Sequence, residues 1–212
     1  MPAKLNEREY RRIDLTNLTT KEEENYVVEG YATTYDSEYL LWDDGEFRVM
    51  ESVSKDAFAD TDMKDVIMQY DHAGPVFARV SNNTLELTSD DHGLHIRAYL
   101  GGTERGRNLF EEIRGGYTEK MSIGFTVLKD ERVEERDQEN NKTIIHRKIT
   151  AVKKLFDVSA VSLPANDATE ISARCFGEGV IADARQELAV LEERKRKIKR
   201  IKLLMEVNNE ND

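Results

Sequence analysis

A chain of 212 residues is long enough to bury the core of one ordinary domain and to leave residues over for tails. A formal charge of -11, with 34% of residues charged, sets it against phosphate backbones, so nucleic acid is not the expected partner. No apolar run approaches the ~20 residues that span a bilayer, and MPAKLNEREYRRIDL lacks the apolar region of a signal peptide, so the chain reads as soluble and cytosolic, without a membrane partner.

The first 25 residues are charged and polar and read as a flexible lead-in to the first strong strand signal, YVVEGYATT at 26–34. Asp43-Asp44-Gly45 then marks a tight turn. Further extended segments are expected at 46–51, 65–70, 76–80, 84–88, 93–100, 119–128, 143–152 and 154–162. Their short spacing, with turns at Asn82-Asn83 and His92-Gly93, predicts a mainly β, mostly antiparallel sheet or barrel rather than a wound α/β fold.

Two helices are expected besides. TERGRNLFEEIRGG, 103–116, has Thr103 as N-cap, Leu109, Phe110 and Ile113 on one face and Gly115-Gly116 as its stop. A long C-terminal helix from about Asp183 to Val207 follows from apolar residues at helical spacing without Gly or Pro. Within it RKRKIKRIK, 194–202, reverses the acidic charge of the body; it reads as a solvated face, as an arm for an acidic protein partner or, third, as a nucleic-acid contact, though seven or so charges do not make a DNA-binding domain. The division is therefore a lead-in at 1–25, a β domain at 26–176 and a charged helical extension at 177–212.

Cys175 is the single cysteine, which excludes an internal disulfide and a thiolate-rich zinc site. His92 and His95 are three apart in an extended segment, so they point to opposite faces and make a poor metal pair. No metal or cofactor is expected.

The chemistry centres on EKMSIGF, 119–125. As a strand it puts Met121, Ile123 and Phe125 on one face and Ser122 and Gly124 on the other. Gly124 is out of place in a strand interior and marks close approach of another backbone or a ligand. A serine that attacks a carbonyl needs a base and a group to orient that base. His72, where the strand DVIMQY gives way to the turn Ala73-Gly74-Pro75, is a candidate base. Asp157 interrupts the apolar and small-residue run KLFDVSAVS, where a carboxylate is costly unless paired, either with His72 or with a Lys or Arg. Lys120 stands where the G-x-S-x-G elbow of α/β-hydrolases has glycine, and the order His72, Ser122, Asp157 differs from those of the best-known serine hydrolase folds.

Six blocks, VEGYATTYD, ESVSKDAF, QYDHAGPVFARV, DDHGLHIRAYL, MSIGF and LFDVSAVSLPAN, together resemble the prohead maturation proteases of tailed bacteriophages, a family distantly similar to the herpesvirus assemblins. They cover roughly residues 26–167; ESVSKDAF stands where the family has E-x-x-x-x-G-A-F, and Asp157 where it often has glutamate. The resemblance implies a β-barrel of about seven strands with surrounding helices. It implies Ser122 as nucleophile, His72 as general base and Asp157 as the group orienting His72. The activity implied is a serine endopeptidase in the assembling prohead, cutting scaffold or the scaffolding region of the major capsid protein, and often itself. A homodimer is a further expectation from the assemblins. The oxyanion site would be sought at SLPAN, 162–166. A non-enzymatic scaffolding or assembly protein of the same fold is the competing reading.

Overall fold

The structure, a computed structural model, describes residues 7–20, 25–139 and 142–161, and scattered positions between 181 and 199. Two compact units divide the chain: Lys4–Arg174, which holds every strand below, and Met1–Ala3 with Cys175–Asp212.

The larger unit is mostly β. Its seven-stranded sheet runs in the order β1 (Arg8–Asn17), β10 (Lys120–Asp137), β11 (Lys142–Val161), β5 (Phe47–Val53), β4 (Tyr39–Asp43), with the hairpin of β6 (Ile67–Tyr70) and β7 (Ala73–Arg79) attached through β6 to β11. A four-stranded sheet takes the order β2 (Thr19–Thr20), β3 (Val27–Thr34), β9 (Gly93–Tyr99), β8 (Leu85–Ser89). Side chains from both sheets, among them Val28, Ile96, Met68, Ile123, Phe125 and Val158, form one buried core.

This corrects the expected barrel: the large sheet is an open half-barrel of mixed strands, although most of the strand pairs remain antiparallel, as expected. The cause is β11. Its first part pairs in parallel with β5, from Thr143–Phe47 to Ile149–Val53, and its last part pairs in parallel with β6, from Asp157–Ile67 to Ala160–Tyr70. Between the two, Val152 and Leu155 donate backbone hydrogen bonds to the carbonyls of Ala57 and Asp62, so irregular chain fills the gap along one edge. Such pairings join residues far apart in sequence, and no local pattern announces them.

The other expectations fare unevenly. Helix α1, Glu104–Arg114, forms where expected: Thr103 Oγ1 caps it by accepting from the Gly106 N–H at 3.0 Å, and Leu109, Phe110 and Ile113 are buried. The surrounding helices of the expected barrel are not there; α1 and the single 3-10 turn Val80–Asn82 are the only helices of the larger unit among the described residues. Nor is there a long C-terminal helix among them. The positions described between 181 and 199 are scattered, and much of the expected 183–207 helix lies outside the described residues, as do most of RKRKIKRIK, SLPAN and Cys175. No described helix is long and apolar enough to cross a membrane. Lastly, residues 8–20, read as a flexible lead-in, contain strands β1 and β2.

Candidate active site

Four pieces of backbone set the site. Across β10 and β11, Ser122 stands opposite Ser159 and Gly124 opposite Asp157. Residues directly opposite on antiparallel neighbours share a face, so Ser122, Ser159 and Asp157 project together, away from Met121, Ile123 and Phe125. On the far side of β11, the β6–β7 hairpin delivers His72. Tyr70 pairs with Ala73, leaving Asp71 and His72 as a two-residue turn, and both have positive φ, 47° and 58°, the pattern of the tight turn that matches strand twist. Neither is glycine, so the turn stores strain, which the packing around it must hold. The Asp71 N–H, bonded to the Ala160 carbonyl at 3.0 Å, fixes the turn to β11.

The three residues meet in one hydrogen-bonded series. His72 Nδ1 lies 2.5 Å from Asp157 Oδ2, and His72 Nε2 lies 2.5 Å from Ser122 Oγ. A carboxylate can only accept, so Nδ1 carries the proton and Nε2 faces the serine as an acceptor. Both alternatives weighed for Asp157 hold at once, because its other oxygen is ion-paired with the guanidinium of Arg8. The Ser159 hydroxyl adds a bond to Oδ2 at 2.8 Å. Burial acts to raise the pKa of Asp157; the hydrogen bond and charge of His72, the Ser159 hydroxyl and Arg8 together outweigh it and hold the carboxyl below its ordinary 3.8.

Gly124 explains how the carboxylate fits. A Cβ at that position would run into Asp157 Oδ1 and crowd Arg8 and Tyr10 at 3.0 Å. The glycine does mark a close approach, of side chains rather than of another backbone.

Sequence reasoning missed the fourth piece, β1. Arg8 to Ile13 pair with Thr126 to Met121 of β10, and Tyr10 lays its ring on His72 with centroids 4.5 Å apart. On the opposite face Arg11 meets Glu51, its Nε 2.5 Å from Oε1, and also pairs with Glu9. Arg147 joins them, 2.5 Å from Glu51 Oε2 and 3.0 Å from Glu9 Oε2, and Tyr39 donates its hydroxyl to Glu51 at 2.5 Å. Burial works against the Glu51 charge, but Arg11 and Arg147 overcome it and hold its pKa at about 2. The alternation Glu9, Arg11 around Arg8, Tyr10 was the available signal; its charged residues made it look solvated.

The other histidines lie apart from this constellation. His92 and His95 both pack edge-on against the ring of Tyr31, and His146 bonds Glu38 at 2.8 Å. Among the described residues no cluster of His, Cys, Asp and Glu could hold a metal ion.

A serine hydroxyl, an imidazole and a buried carboxylate in series define a class of site suited to acyl transfer. The model of the caudovirus prohead serine protease family matches residues 13–181, and the chain belongs to that family. Its class is accordingly that of serine proteases of capsid maturation. No curated protein and no solved structure matches the chain.

Proposed function

We propose that the protein is the serine endopeptidase of prohead maturation in its phage, with Ser122 as nucleophile, His72 as general base and Asp157 as the residue that orients His72. The observation that carries this reading is the series Asp157, His72, Ser122, with 2.5 Å at each step, drawn from three separate parts of the chain. Its substrates are scaffold, or the scaffolding region of the major capsid protein, and the protease itself, inside the assembling shell in the host cell.

In the acylation step His72 Nε2 takes the Ser122 proton as Oγ bonds to the peptide carbonyl carbon. The tetrahedral oxyanion collapses with loss of the amine, which receives that proton from the imidazolium; Asp157 stabilises the imidazolium while it exists. Water then attacks the ester by the same route, and Ser122 recovers its proton.

The test is co-expression with the major capsid protein, comparing wild type, Ser122→Ala and His72→Ala and reading the cut sites by mass spectrometry. Cuts present in wild type and absent from both variants are the expected result. If wild type and Ser122→Ala give the same capsid protein, the protein is an inactive assembly factor of this fold and the proposal fails.

A further inference from the structure

The residues of the site are closed off. Ser122 is 0 % exposed and the His72 side chain 3 %. Three elements of β1 lie on them: the Arg11 carbonyl accepts from the Ser122 hydroxyl at 3.0 Å, the Tyr10 ring covers His72, and Arg8 holds Asp157. A serine hydroxyl has one proton, so while it donates to Arg11 it does not donate to His72. An external peptide carbonyl has no path to an Oγ without accessible surface. Among the described strands β1 is an edge strand, paired only with β10.

Resting on the protease reading, we propose that β1 occupies the place of the substrate: an extended segment of the protein to be cut adds to the β10 edge in place of β1, whose departure opens the site.

The β10 edge suits this use. Without β1, the N–H and C=O groups that pair with Arg8 to Ile13 are left open beside Ser122, and an exposed strand edge recruits another extended chain. The buried charges suit it too. Glu9 and Arg11 leave together, with opposite charges, Glu51 keeps Arg147 and Tyr39 at 2.5 Å each, and Asp157, which loses Arg8, keeps its bonds to His72 and Ser159, so no buried charge is left without a partner. The side chain that Glu51 receives from β1 is a guanidinium, at the position opposite Ile123. A substrate segment that fits best therefore carries Arg or Lys at that register.

The experiment measures the rate at which a fluorophosphonate probe labels Ser122, read by mass spectrometry with Ser122→Ala as the blank. Three proteins are compared: the full chain, a chain shortened to begin at Leu18, and the full chain carrying Arg8→Ala with Tyr10→Ala. The double variant keeps Glu9 and Arg11, so it tests the inference if the shortened chain does not fold. If β1 holds the site closed, labelling quickens about tenfold or more in either altered protein, as the open population rises. A peptide of residues 7–17 added to the shortened chain slows it again. If Arg8 and Tyr10 instead support the site, labelling of the double variant is equal to or slower than that of the full chain, and the inference is overturned while the protease reading stands. No Ser122 adduct in any of the three would sink both.

Discussion

Gly124 and Asp157 stand opposite one another on β10 and β11, and the Asp157 carboxylate fills the space that a side chain at 124 would need. The carboxylate cannot give way freely, since His72, Ser159 and Arg8 hold it. Gly124→Ala is therefore expected to push the acid off His72 and cut kcat on the order of 10²-fold, the scale on which a misplaced catalytic group fails. Overpacking should cost about 1–3 kcal/mol of stability as well. Capsid-protein cleavage rates and urea unfolding of the same preparation separate the two effects; unchanged kcat would show that the carboxylate relocates without consequence.

Asp157→Asn probes the charge with little change of shape. An amide can present either its oxygen or its NH₂ to Nδ1, so the imidazole loses both its fixed tautomer and the negative charge beside its cationic form. A fall in kcat of about 10²–10⁴-fold is expected with substrate KM little changed. Retention of most activity would mean that the Arg8 pair, rather than the His72 bond, is the reason for an acid at this position.

The strands that were legible in the sequence are those whose faces differ in polarity. Met121, Ile123 and Phe125 alternate with small polar residues, and α1 announced itself by Thr103 and its apolar stripe. The hairpin continues far beyond the expected end at 128, to Asp137, because its outer part is charged and mostly exposed and carries no apolar alternation. β1 was illegible for the opposite reason. Glu9 and Arg11 are buried, yet they satisfy each other and Glu51 and Arg147, so the interior there is ionic and imitates a solvated tail. Parallel pairing of β11 with β5 and β6 has no local signature at all. For the site, the residue types and the odd glycine could be read from the sequence, whereas the partners supplied by β1 depend on pairing across more than a hundred residues.

Thr103→Ala supplies a control far from the chemistry in role. Its Oγ1 satisfies the Gly106 N–H at 3.0 Å, one of the donors that a helix start leaves unpaired. Loss of the cap should lower stability by about 1 kcal/mol, a few degrees in Tm, without changing the cleavage rate measured well below the transition. A matching loss of activity would show that α1 communicates with the site.

Acid sensitivity should trace to Glu51. Its folded pKa of about 2 lies under its ordinary 4.5, so the carboxylate contributes stability that is fully present above the ordinary value and is lost as pH falls through the folded one. Glu51→Gln keeps the shape but leaves Arg11 and Arg147 with less negative charge between them, Glu9 being the carboxylate that remains to both. Breaking one member of a buried ionic group costs about 3–5 kcal/mol near neutrality. Because wild type itself surrenders the Glu51 contribution on acidification, the gap between the two proteins should narrow steadily from about pH 4.5 downward, as the linkage requires. Urea midpoints of both proteins at pH 7, 4 and 3 measure that gap. A gap that stays constant over this range, or widens, would mean that Glu51 is not held ionised by Arg11 and Arg147.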